Sequence, residues 1–263
     1  MWHDHYALAW FDPILRLRLR VDLPAGPRPQ VRRIAGAPEP RWVRQGNGDR
    51  LELLREHIAA VPYEDRIPQG DAVLPALEIA TRREWAAVVD WALPLYPNDL
   101  PLPEELLRRV EDWRQTLATE AAIVQALQTV QEEVRYHAVL LGQSTHRPTP
   151  PAQTWARRYG DCKDKALLLS GLLRALGHDA VPALVSLERG IGVADALPAA
   201  TQFDHVIVRL QHDGQTLWLD PTLTRQRGPL ALRRANDHGV ALAIAAGVNA
   251  LERMGSPAHS RSE

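Results

Sequence analysis

Apolar and polar residues alternate strictly near the start of the chain. Leu15, Leu17, Leu19, Val21 and Leu23 are separated by Arg16, Arg18, Arg20 and Asp22. A period of two predicts a strand with one buried and one wet face. Arg41 to Leu54 reads as a hairpin with Asn47-Gly48 at its tip. Ala76 to Ala80 reads as a last short strand. Residues 1–80 are therefore expected to form a small β-rich, sandwich-like domain, shorter than a full sandwich. The period then lengthens. Thr81 and Glu84 have the spacing of a capping box, ahead of Trp85, Val88, Val89 and Leu93 on one helical face. After a proline-rich joint from Pro94 to Pro103, apolar stripes run to about His137 and predict two helices or one broken one. Gly142 to Pro151 reads as a loop, and Ala152 to Arg158 as a short helix.

The next stretch, RYGDCKDKALLLSGLLRALG from Arg158 to Gly177, organises the rest. Asp161 is a good N-cap, Asp164 completes a capping box, and Gly177 supplies the stop. Ala166 to Leu176 is apolar almost all round, as in a buried helix. The only cysteine, Cys162, falls in the first turn. Unpaired N–H groups and the positive end of the helix dipole favour a thiolate there, and the thiolate is the nucleophile. By itself a lone cysteine reads as a small buried hydrophobe. A chemical role requires partners from elsewhere in the chain.

Ala180 to Leu187 is predicted as a buried strand and Glu188 to Gln202 as a long loop, a candidate wall of a substrate cleft. Two strands come next, Phe203 to Leu210 and Thr216 to Asp220, joined at Asp213-Gly214. That turn opposes Val208 to Leu219 and Leu210 to Leu217. With Val206, these residues form one apolar face. His205, Ile207, Arg209, Trp218 and Asp220 occupy the other, with His205 diagonal to Asp220. A thiol at a helix N-terminus, a histidine and a carboxylate are the parts of a nucleophilic triad. The last part of the chain reads as one amphipathic helix or less, with residues 251–263 as a disordered tail.

GDCKDKALLLSGLLRALG, FDHVIVRL and WLDPT, in that order, resemble the transglutaminase-like superfamily. VRYH at Val134–His137 and THRPTPP at Thr145–Pro151 fit the same resemblance, to a bacterial subgroup with an N-terminal β-sandwich domain. The likeness is firm over residues 130–225 and weaker before them. It implies an α+β, papain-like core over residues 81–250, with the cysteine helix packed on an antiparallel sheet. It carries Cys162, His205 and Asp220 over as the triad. The expected activity is thiol-dependent acyl transfer on amide bonds of a peptide or protein, by hydrolysis or cross-linking. Tyr136, Trp155 and Gln143 are candidates for oxyanion or substrate contacts.

Composition narrows the alternatives. Across 263 residues the net charge is −1, which gives no electrostatic case for nucleic acid or an anionic membrane. One cysteine excludes an internal disulfide and leaves a redox protein without a resolving thiol. The longest apolar run, Val240 to Leu251, is too short to span a bilayer. No signal peptide is visible, so the chain reads as soluble, with periplasmic and cytoplasmic placement both open. His3, Asp4 and His5 read as a disordered N-terminus, Lys163 and Lys165 as surface charges, and no metal or cofactor is assigned. The rival reading is a catalytically retired module that binds a protein or glycan partner.

Overall fold

The computed structural model describes residues 2–63, 65, 73–138 and 146–255. The first part is β-structure. Its strands are β1 (His3–Ala7), β2 (Ile14–Leu23), β3 (Gln30–Ile34), β4 (Arg41–Gln45), β5 (Gly48–Ile58) and β6 (Ala76–Ala80). They form two three-stranded antiparallel sheets, β1-β6-β3 and β2-β5-β4. Leu8, Leu51, Leu53, Leu77 and Ile79 share one core, with Leu17, Leu19 and Val21 packed against it. The alternation from Leu15 to Leu23 thus does its expected work, although Leu15 itself is exposed. The β4–β5 hairpin turns one residue earlier than predicted. Gln45 pairs with Gly48, so Gly46-Asn47 is the tip, and Gly46 takes the positive φ.

His3, Asp4 and His5 lie in a strand, contrary to the sequence reading of a disordered N-terminus. His3 to Ala7 pair along the whole of β6, and the His3 ring is hydrogen-bonded. Pairing with β6 takes up the inward-facing backbone groups of this edge strand and holds it in place, which a local reading of His-Asp-His could not reveal. Thr81 does not cap a helix either. Its hydroxyl donates to the Trp2 carbonyl, and α1 (Ala86–Ala92) begins five residues later.

The predicted helices come next in order: α2 (Glu104–Thr116) and α3 (Thr119–Glu133). A short β7 (Arg135–Tyr136) pairs in parallel with β8 (Tyr159–Gly160), which lies just after α4 (Pro151–Arg157). The cysteine helix is α5 (Cys162–Ala175). It lies against an antiparallel sheet of β9 (Asp179–Val185), β10 (His205–His212), β11 (Gln215–Leu219), β12 (Val240–Ala243) and β13 (Glu252–Arg253), in the order β11-β10-β9-β12-β13. Leu167, Leu168, Leu169, Leu172 and Leu173 of α5 meet Val206, Val208, Leu210, Leu217 and Leu219 in the main core. Burying one such leucine is worth about 1.5–3 kcal/mol, so this helix–sheet contact fixes where Cys162 stands.

The β10–β11 register is the predicted one, Val208 opposite Leu219 and Leu210 opposite Leu217. Asp213 and Gly214 both take positive φ at the turn. The far face of the hairpin is covered as well: Ile207 and Trp218 pack with Val185, Ala235, Ala241 and Met254. That cover comes from the end of the chain, where the sequence predicted a helix and then a disordered tail. Val240 to Ala243 instead join the sheet beside β9, and Glu252 and Arg253 pair with them. Residues 256–263 of the predicted tail lie outside the described residues. No helix among the described residues is long and apolar enough to cross a membrane.

Candidate active site

Cys162 owes its place to a fully formed capping box. The Asp161 side chain accepts from the Asp164 N–H, and the Asp164 side chain accepts from the Asp161 N–H. Asp164 also accepts from the Thr149 N–H at 2.6 Å, which ties in the segment before α4. Gly160 sits just ahead. A Cβ there would meet the Asp164 Cβ at 2.8 Å, so glycine is what allows β8 to run this close to the helix start. Lys163 and Lys165, read as surface charges, are both buried. Lys163 pairs with Asp161, and the Lys165 Nζ donates to the Val134 carbonyl at 2.5 Å. Each ammonium has an internal acceptor, the condition under which a buried charge is tolerated. Burial brings the Lys165 pKa down to about 8 against the pull of Asp220.

His205 opens β10, and Asp220 lies directly after β11. Their side chains meet, His205 Nε2 to Asp220 Oδ2 at 2.9 Å, both groups buried. The other carboxylate oxygen of Asp220 accepts from the Thr222 N–H and hydroxyl at 2.8 and 2.7 Å. Gln131 of α3 donates to the Asp220 carbonyl at 3.0 Å. Asp220 is therefore fixed at three points, and its free oxygen faces the imidazole. Burial drives the His205 pKa down, but hydrogen bonds to Asp220 and to Cys162 outweigh it and raise the value to about 10. Burial likewise raises the Asp220 pKa, and the bonds from His205 and Thr222 more than reverse that, leaving it below the usual carboxylate range. With Nε2 taken by Asp220, Nδ1 is the ring nitrogen that remains.

Cys162 is half-buried and, with His205, lines a cavity of about 350 Å³. Trp91, Tyr96, Tyr136 and Phe203 supply aromatic walls. Of the three candidate helpers, Tyr136 is in this cavity. Burial raises its pKa, with Cys162 adding to the effect, so its phenol keeps its proton. Trp155 is elsewhere. Its indole N–H donates to Glu105 at 2.9 Å, and the Arg158 guanidinium stacks 3.6 Å from its ring centre. Gln143 lies outside the described residues. Sequence reasoning missed Trp91, Tyr96, His146 and Phe203, which reach the cavity from separate segments with no shared motif. Among the described residues, no group of three or more His, Cys, Asp or Glu is arranged to hold a metal ion.

No family model matches the chain, and no curated protein matches it. Solved structures do. A putative protease from Parabacteroides distasonis matches with a TM-score of 0.69 at 12% identity, over 95% of this chain. The chain spans 46% of the length of that protein. A putative cysteine protease from Cytophaga hutchinsonii matches with a TM-score of 0.39 at 13% identity, over 96% of this chain and 84% of its own. The periplasmic domain of TgpA from Pseudomonas aeruginosa matches with a TM-score of 0.35 at 16% identity, over 83% of this chain and 77% of its own. With its cysteine helix laid on an antiparallel sheet and two small β-sheets in front, this chain shares its α+β fold with the Parabacteroides distasonis protein.

Proposed function

We propose that the chain transfers acyl groups from amide bonds of peptides or proteins, with Cys162 as nucleophile, His205 as proton carrier and Asp220 as its orienting carboxylate. One observation carries this reading: His205, hydrogen-bonded to Asp220, lines the same cavity as the half-exposed thiol of Cys162. A closed cleft would have favoured the retired module; Cys162 is instead half-exposed to a space of substrate size.

The Cys162 sulfur bonds to the amide carbonyl carbon, and the thiol proton resides on His205. The C–N bond breaks, and the amine leaves with the proton from His205. A thioester remains on Cys162. Water or a second amine then attacks it, restoring the thiol and releasing an acid or a new amide. Asp220 holds the imidazole ring and stabilises its cation throughout. The Tyr136 phenol and the Cys162 backbone N–H are the donors on hand for the oxyanion.

The test is the rate of Cys162 alkylation by iodoacetamide against pH, with amide turnover measured alongside. Alkylation should be fast at neutral pH, and should slow at least about tenfold in His205→Ala. Cys162→Ala should abolish turnover. Reactivity unchanged by His205→Ala, or turnover surviving Cys162→Ala, would sink the proposal.

A further inference from the structure

A second cavity of about 260 Å³ adjoins the first. It is walled by the rings of Trp2, His3, Trp91 and His146 and by the turn at 199–201. Trp91, His146 and Ala200 line both cavities, so the two meet along one shared wall. Trp2 and His3 belong to the β-domain. One wall of the second cavity is thus built by a domain that contributes nothing to the triad.

This junction is firmly held. β6 alternates, so Leu77 and Ile79 enter the β-domain core while Glu78 points the other way. Glu78 is fully buried and accepts from Gln202 at 2.5 Å and from the Leu197 N–H at 3.2 Å. Arg32 also donates to it, at 3.2 Å. Both His3 nitrogens are engaged, Nδ1 with the Thr201 hydroxyl at 2.7 Å and Nε2 with Glu78 at 3.1 Å. The His3 wall of the second cavity is therefore pre-set rather than formed by a ligand.

Its chemistry is equally defined. Among the described lining residues there is no carboxylate, lysine or arginine. Four rings surround the space, and two of them, Trp91 and His146, already stand edge to face with centroids 5.2 Å apart. Such a space favours an uncharged ring, which can repeat the same edge-to-face contacts, over a charged or small group. An extended peptide advances only about 3.3 Å per residue. Because the two cavities share Trp91, His146 and Ala200, a peptide lying in the first has the second beside it.

We infer that the β-domain completes the substrate cleft: the pocket bounded by Trp2, His3, Trp91 and His146 binds an aromatic side chain of the peptide substrate, one or two residues from the attacked amide. The inference rests on the acyl-transfer reading for its orientation, but binding alone can test it. The experiment titrates Cys162→Ala protein calorimetrically with short peptide amides that carry Phe, Ala or Lys at positions flanking the amide. Turnover of the same peptides is measured with the unmodified thiol.

The Phe peptide should bind at least about tenfold tighter than the Ala and Lys peptides, as filling an apolar pocket commonly gives. Trp2→Ala, which removes one wall, should erase that preference. So should Thr201→Trp, which fills the space from an exposed rim position without removing Trp2, with Thr201→Val as its control for the lost hydroxyl bond to His3 and expected to keep the preference. In both variants iodoacetamide should alkylate Cys162 at the parent rate, showing that the thiol site is intact. A preference that survives both variants, the absence of any preference, or no peptide binding at all overturns the inference. Phe-selective binding without turnover of any peptide sinks the acyl-transfer reading and leaves the pocket standing. Turnover without Phe preference does the reverse.

Discussion

At the scale of single residues, His205 carries the most consequence. Its pKa rises from 6.5 unfolded to about 10 folded, because Asp220 and Cys162 hold its protonated form against burial. A raised pKa contributes stability that is fully present below 6.5 and is lost as pH rises through about 10. Thermal unfolding midpoints of the parent should therefore fall across that window, and those of His205→Gln should fall less. Asp220→Asn should cut amide turnover on the order of 10³–10⁴-fold, because the asparagine can hold the ring but not its charge. The His–Asp pair was legible in the sequence because Asp213-Gly214 fixes the register of a short hairpin, and register fixes the faces. The braces on Asp220 were not. Gln131 lies 89 residues away, and nothing local marks it as a partner. Trp91, Tyr96, His146 and Phe203 converge only through the fold, so no spacing could have grouped them.

At the scale of elements, α5 was legible end to end, since a capping box, an apolar helix and a glycine stop are all local signals. Gly160 gives the matching prediction. An added Cβ would press on the Asp164 Cβ at 2.8 Å and on the Thr154 methyl at 3.2 Å, pushing Asp164 out of the capping box. Gly160→Ala should cost about 1–3 kcal/mol in urea denaturation and should slow Cys162 alkylation by displacing the first turn. Asp179→Ala, an exposed change at the far end of the same domain, should do neither. The elements misread from sequence share a cause. β12 is a short apolar run, which periodicity cannot tell from a helix, and only its pairing with β9 decides. Thr81 has the capping signature, but its hydroxyl is claimed by Trp2, 79 residues earlier. In both places a long-range partner overrides the local preference.

At the scale of the whole molecule, Glu78 joins the two halves. Burial raises its pKa, and the bonds from His3, Gln202 and Leu197 with the charge of Arg189 outweigh that, bringing it to about 2 from 4.5. A lowered pKa contributes stability present above 4.5 and lost as pH falls through about 2. Glu78→Ala should cost about 3–5 kcal/mol at neutral pH, since it strands His3, Arg32 and Gln202. It should also flatten the acid limb of the unfolding curve, measured by circular dichroism. The sequence displayed two blocks, one of period two and one mostly helical. Nothing in it signalled that they share a wall, because a lone glutamate in a short strand reads as a surface residue. The same junction has a consequence for how the protein comes into being. The partners of His3, Thr201 and Gln202, emerge 198 and 199 residues after it. A chain still on the ribosome has the thiol of Cys162 before it has His205, and it has an open flank until both ends of that span exist. Synthesis order alone thus leaves Cys162, the proposed nucleophile, without its proposed base until residue 205 has been made.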